Sequence, residues 1–315
     1  MKQSKTIFLF FLLLIVFYSC TKQTGISPNW PKKASLPANG RYNAVAFSIN
    51  GKGYIGTGYN GSCMNDFWEY DPAADSWIQK ANFAGSARDG CVGFSVGTKG
   101  YIGLGWDGSA YKTDIWEYNP STNNWTQKNS LPAAARFGAA SFSIGNKGYV
   151  GTGYYYQGSQ NYYLRDFWEF YPDSNKWSAK NNFPGNSRDY ASAFSISGKG
   201  YMGLGESSQV YSDFYEYNPS SDSWTTKKSF SIQCTRAASF SINDKGYIGT
   251  GSNDGSYPEK SFYEYSPSSD AWKQLPDFVG LERFGAVGFS IGNRGYIVTG
   301  KNYNNYETDM FEYWQ

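Results

Sequence analysis

The chain contains no histidine. That single absence removes the commonest general base and the commonest zinc or copper ligand. Cysteine is scarce: Cys20, Cys63, Cys91 and Cys234 are the four present, too few at these spacings to read as a disulfide framework. No strongly specific metal pattern remains, and neither a metal nor an organic cofactor is expected. Charge is also thin. Only 17% of residues are charged, the formal net charge is +2, and no basic run of five or more occurs. Such a chain carries no electrostatic footprint for nucleic acid, and partners held mainly by long-range charge are not expected.

What is abundant is glycine, with 36 residues, and aromatic side chains, at 19%. They fall in a repeat. The stretch Arg41–Pro72 reads RYNAVAFSIN, GKGYIGTG, a polar loop, then DFWEYDP, and Trp77 follows. Its glycine-tyrosine core recurs at Gly53, Gly100, Gly148, Gly200, Gly246 and Gly295. Arg41, Arg88, Arg136, Arg188, Arg236 and Arg283 precede the successive units at intervals of 47 to 52 residues. A period near 50 with several strand-length runs per unit is the signature of propeller blades.

Residues 1–19 stand outside this pattern. Lys2 and Lys5 form a positive start and Ile7–Tyr18 an apolar run of twelve, shorter than the roughly 20 residues that a membrane-spanning helix needs. The run ends at Ser19-Cys20, and Thr21–Pro28 is polar. This arrangement resembles a bacterial lipoprotein signal, which implies lipidation of Cys20, a tether over residues 20–28 and an anchored location in the cell envelope, periplasmic or surface-facing. Ordinary secretion, with Cys20 incidental, is the alternative. Export permits disulfides, and a Cys63–Cys91 bond is open on this reading.

Each unit offers four strands. The first follows the arginine, as in Ala44–Ile49, Ala139–Ile144 and Ala237–Ile242; the second is the glycine-tyrosine run; the third is Phe67–Tyr70 and its counterparts; the fourth surrounds Trp77, Trp125, Trp177, Trp224 and Trp272. Asp71-Pro72 and Asn119-Pro120 mark the turn between the third and fourth. The last unit stops at Phe311–Gln315 with three strands, whereas Asn29–Pro37 reads like the fourth strand at Asn124–Pro132. The N-terminal strand is therefore expected to close the sixth blade. Arginine before the first strand, glycines ending the second, an aromatic third strand followed by Asp/Asn-Pro, and a fourth-strand tryptophan together resemble kelch repeats. The resemblance covers residues 29–315 and implies an all-β, six-bladed propeller with four antiparallel strands per blade. It departs from the family in one respect: the usual glycine doublet is Gly-Thr-Gly or Gly-Leu-Gly here, and Val298-Thr299-Gly300 in the last unit.

Antiparallel connectivity places the arginines and the loops between second and third strands on one rim. The longest such loop, Tyr154–Arg165, carries Tyr154, Tyr155, Tyr156, Tyr162 and Tyr163; others offer Trp106 with Tyr111, and Tyr303 with Tyr306. Exposed rings among Asn, Gln and Ser suit a glycan or an extracytoplasmic protein surface. The six arginines could grip a carboxylate, but Glu69, Glu117, Glu169, Glu216, Glu264 and Glu312 repeat as regularly, so structural pairing of arginine with glutamate or loop carbonyls is the stronger expectation. Asp66, Asp114, Asp166, Asp213 and Asp309 also recur, with Ser261 in the fifth place, and read as turn residues. The resemblance further admits enzymes. Galactose oxidases need histidine ligands that this chain lacks. Sialic-acid mutarotases need only acid and base groups around an acidic sugar. The reading is an anchored binding or scaffold module for glycan or protein, with a metal-independent sugar mutarotase or isomerase as the alternative, and no individual catalytic residue assigned.

Overall fold

The structure, a computed structural model, describes residues 30–315. The expected signal and tether, residues 1–28 with Cys20, lie outside the described residues. Six four-stranded antiparallel sheets form the blades. The innermost strands are Val45–Ile49, Val92–Val96, Ala140–Ile144, Ser192–Ile196, Ala238–Ile242 and Val287–Ile291, the first five beginning on a buried residue. Neighbouring inner strands touch all the way round, the first meeting the sixth, so the ring is closed. Small residues such as Ala46, Gly93 and Ser141 face a narrow central channel.

Closure takes the form expected from the two ends. Lys32–Lys33 pairs antiparallel with Met310–Phe311 as the outermost strand of the sixth blade. Trp30 anchors this strand, its ring lying 4.9 Å from Phe262, 5.2 Å from Phe278 and 4.9 Å from Tyr313.

Two recurring contacts explain the repeat's aromatic-glycine grammar. The first glycine of each GY run receives a phenylalanine from the preceding blade: a Cβ on Gly100 would sit 2.3 Å from the Phe47 ring. Only a residue without a side chain lets the blades approach this closely. Farther out, the fourth-strand tryptophans of the first five blades donate their ring N–H to a carbonyl of the preceding blade, as Trp125 does to Ala81 at 3.0 Å and Trp77 to Ala34 at 2.8 Å, whereas the Trp30 Nε1 is buried without a partner. The aromatic residues thus serve mainly as packing between blades.

The acids sort differently from the expected arginine–glutamate pairing. Each recurring glutamate accepts from the tyrosine of the GY run across the sheet: Tyr54 to Glu69 at 2.6 Å, Tyr101 to Glu117 at 2.7 Å, Tyr296 to Glu312 at 2.7 Å. The arginines go to the aspartates that looked like turn residues. Arg136 is fully buried and donates from Nη1 and Nη2 to Asp166 at 2.6 and 2.8 Å, from Nη1 to the Thr152 carbonyl at 3.1 Å, and from Nε to the Ala134 carbonyl at 2.9 Å. Arg41–Asp66, Arg88–Asp114, Arg188–Asp213 and Arg283–Asp309 repeat this clamp. Burial is the largest influence and would raise the carboxyls of Asp66, Asp114 and Asp166, but the hydrogen bonds and charge of the guanidinium, with the N–H of the tryptophan two residues on, together outweigh it and hold them below the usual range. The planar fork of arginine suits a carboxylate bidentately, which explains its use at a buried joint.

The clamp also holds a strained turn. The carbonyl it reaches belongs to the middle residue of Gly-Thr-Gly, Gly-Leu-Gly or, in the last blade, Val-Thr-Gly, and the residue at this place is left-handed in every blade, with or without the clamp: Thr57, Leu104, Thr152, Leu204, Thr250 and Thr299 have φ between 58° and 63°. The arginine supplies a donor to a backbone conformation that β-branched residues disfavour.

Candidate functional site

One residue of each blade, on the approach to its inner strand, rings the channel mouth on the arginine side: Asn43, Gly90, Gly138, Tyr190, Arg236 and Gly285. All six are left-handed, with φ between 50° and 64°. N–H···O bonds run from blade to blade through this station, Gly90 donating to Asn43 at 3.1 Å, Gly138 to Gly90 at 2.9 Å and Tyr190 to Gly138 at 2.7 Å. Glycine is the residue this backbone asks for, and three blades have it. Asn43, Tyr190 and Arg236 accept the strain instead, and all three bring polar groups to a cavity of about 110 Å³. Tyr190 and Arg236, large side chains at a station that three blades give to glycine, make this place a candidate site.

Arg236 corrects the expected ring of six arginines. The interval from clamp arginine to left-handed carbonyl is sixteen residues in five blades, and in the fifth the residue sixteen before Thr250 is Cys234. Cys234 is buried with its Sγ 3.6 Å from that carbonyl oxygen, and the aspartate partner is lost with the arginine, Ser261 standing in its place. Arg236 lies two residues on and belongs to the mouth. Its Nη2 contacts Glu206 Oε1 at 2.6 Å, its Nη1 donates to the Gly255 carbonyl at 3.2 Å, and its plane lies 4.7 Å from the Tyr190 ring centroid. Its Nε is buried and unpartnered. The other five guanidinium groups are 0–1% exposed. Their donors are committed to the clamps.

Acids surround this arginine unevenly. Asp189 is 6% exposed, with Oδ1 unpartnered; burial, then the Glu206 charge, pushes its carboxyl up to about 8. Burial also raises Glu206, against the pull of Arg236. Burial works against the charge on Arg236, but Tyr190, Glu206 and Asp189 outweigh it and raise its pKa. Asn43 donates to the Tyr190 hydroxyl at 2.7 Å, leaving its own Oδ1 unpartnered. Three buried polar atoms at or beside the mouth, Arg236 Nε, Asp189 Oδ1 and Asn43 Oδ1, therefore have no protein partner.

Aromatic residues occupy the adjoining side. Tyr42, Tyr59, Trp106, Tyr111, Phe137 and Tyr154 line a cleft of about 330 Å³ around Asp89. The Trp106 and Tyr111 rings are 4.6 Å apart. Beyond them, Tyr155 and Tyr156 help form a groove of about 480 Å³. Here the expected loop contains a hairpin, Tyr154–Gln157 paired with Gln160–Tyr163 around left-handed Gly158 and Ser159. Two tyrosine-rich arms flanking Gly-Ser were the signal for it. Tyr155 stacks on Tyr162 at 4.8 Å, and Tyr154 meets Tyr163 at 5.1 Å. Tyr306 stacks on Tyr42 at 5.8 Å, whereas exposed Tyr303 neighbours Tyr257, 6.2 Å away. The aromatic candidates are thus split between the cleft wall, the hairpin and a separate exposed pair.

Cys63 and Cys91 are free thiols, so the bond left open between them is not formed.

No family model matches the chain, and no curated protein matches it. Among solved structures it is similar to one titled "Structure of YjhT", with a TM-score of 0.73 at 17% identity, over 89% of this chain and 96% of that one. At that identity the likeness is one of fold.

Proposed function

We propose that this protein is an exported, lipid-anchored propeller of kelch type that binds a saccharide at the arginine-side mouth. The observation that carries the reading is Arg236. It stands at a left-handed station that three other blades give to glycine, in the one blade whose structural clamp is missing, with a buried donor unpartnered. A sugar presents closely spaced hydroxyls and, in acidic sugars, a carboxylate. Arg236 offers donors, Glu206 and Asn43 offer acceptors, and the neighbouring rings of the cleft offer flat apolar surface. A propeller fold fits binding and scaffold roles, and the rim loops fit a glycan better than a protein because their rings flank recessed polar groups rather than a flat patch.

A second reading has its own observation. Asp189, held protonated near neutrality beside Arg236 and Tyr190, is a group that both gives and takes a proton at working pH. That suits a sugar mutarotase or isomerase acting on a sialic-acid-like substrate. Ligand-observed NMR of the full-length protein against neutral and acidic saccharides, following binding and anomer exchange together, tests both. Binding that Arg236→Ala abolishes supports the saccharide site; accelerated exchange that Asp189→Asn removes supports the enzyme; no binding by any saccharide overturns both. The anchor has a separate test. Cys20→Ala should move the protein from the membrane fraction to the soluble one, and an unchanged distribution would exclude lipidation there.

A further inference from the structure

The aromatic cleft beside the mouth holds an acid that the saccharide reading does not use. Asp89 is 5% exposed, and its carboxylate receives two long contacts, from Asn43 Nδ2 at 3.4 Å and Cys63 Sγ at 3.8 Å. A buried carboxylate normally has several strong donors or a cation. Among the described residues no ion pair includes Asp89. The nearby cations are engaged elsewhere: Lys112 pairs with Asp107 at 2.5 Å, Arg236 with Glu206, and Lys301 lies over Tyr42 and Tyr306. Above Asp89 stand Tyr42, Tyr59, Trp106, Tyr111, Phe137 and Tyr154, enclosing about 330 Å³.

We infer that this cleft is a binding site for an organic ammonium group, with Asp89 as its counter-ion and the surrounding rings as its walls. The faces of aromatic rings are electron-rich and attract cations, most strongly where water is excluded. A neutral sugar would draw on the same rings and donate hydroxyls to the carboxylate, but it would leave the buried charge without a counter-ion. An anion would meet Asp89 directly. The lone charge on the floor therefore selects the sign of the guest, and the volume falls within the usual range for a small ligand. Burial raises the Asp89 carboxyl to about 6, against the hydrogen bonds from Asn43 and Cys63. The groups facing it do not change charge near that value in the same direction: Cys63 is pushed up to about 11, and Tyr42 and Tyr190 are raised as well. An arriving cation favours the ionised acid.

The inference rests on Asp89 rather than on Arg236, although the saccharide reading draws on the same rings, and it is tested on the full-length protein in an uncharged detergent. Choline is titrated against the alcohol in which carbon replaces its nitrogen, and glucosamine against glucose, by calorimetry and saturation-transfer NMR. At least one ammonium compound should bind about tenfold or more tightly than its uncharged counterpart, and Asp89→Asn should remove that preference. Choline alone would identify a quaternary headgroup, glucosamine alone an amino sugar. Equal binding of charged and uncharged partners, or no ammonium binding, overturns the inference. Saccharide binding that persists in Asp89→Asn keeps failure here distinct from failure at the mouth.

Discussion

The Sγ of Cys234 lies 3.6 Å from the Thr250 carbonyl oxygen, at the station where Arg136 Nη1 donates to Thr152 at 3.1 Å. Cysteine and Ser261 fill the place of an entire ion pair, and their joint presence follows from electrostatics. Either charge alone at this joint would lack its partner.

A double-mutant cycle follows from this. Cys234→Arg alone should destabilise the protein by about 3 kcal/mol, because it places a guanidinium in a buried joint without its carboxylate. Adding Ser261→Asp should restore at least about 2 kcal/mol of that loss through a bidentate pair. Urea denaturation of the four proteins measures the coupling. Additive effects would mean that the fifth joint has lost the shape of the clamp as well as its chemistry.

The same blade shows what could be read in advance. The blade count and the closing strand were legible because Asn29–Pro37 repeats an interior fourth strand and the glycine-tyrosine core recurs six times. The pairing of charges was not, since Asp66 and Glu69 are three residues apart and both repeat once per blade; only the strand register decides which one Arg41 meets. The displacement of Arg236 was legible in principle from the sixteen-residue interval, together with Ser261. Asp89 and Asp189 were not. They directly follow clamp arginines, and burial without an ion pair, a property of the assembled mouth, is what distinguishes them. The hairpin at Tyr154–Tyr163 was hidden by its polarity, which reads as loop when its strands pair only with each other.

The left-handed threonines predict an unusual glycine effect. Thr152 is fully buried at φ 61°, and its hydroxyl has no partner. Thr152→Gly relieves about 1–2 kcal/mol of backbone strain and removes a buried orphan hydroxyl. It gives up a buried methyl and adds unfolded-state entropy, each costing about 1 kcal/mol. The thermal midpoint should hold or rise by about 1–2 °C. A fall of more than about 2 °C would show that side-chain packing, not the turn, governs this position.

Trp30 carries the closure of the ring. Its indole touches Phe262 of the fifth blade and Tyr313 of the sixth, so it bridges the joint beside the point where the chain ends meet. Trp30→Ala should cost about 3–5 kcal/mol, as for other large buried aromatic residues. Hydrogen exchange should quicken first in Met310–Tyr313, which loses its packed outer neighbour. Exchange that rises evenly over all six blades would argue against an N-terminal latch acting locally.

Asp189 should make stability depend on pH in a direction opposite to that of a salt-bridged acid. Its carboxyl sits at about 8 in the folded protein against a reference near 3.8. Between those values the unfolded chain has released the proton while the folded one keeps it, so folding stability from this group falls as pH rises from about 4 to about 8. Asp189→Asn keeps the shape and removes the titration. The variant should match the parent near pH 4 and become more stable by on the order of 2–5 kcal/mol at pH 8. Urea midpoints at several pH values measure the difference, and because Asp89 titrates in both proteins its contribution cancels. A difference that stays flat across this range would place Asp189 among ordinary carboxylates and remove the proton donor on which the mutarotase reading rests.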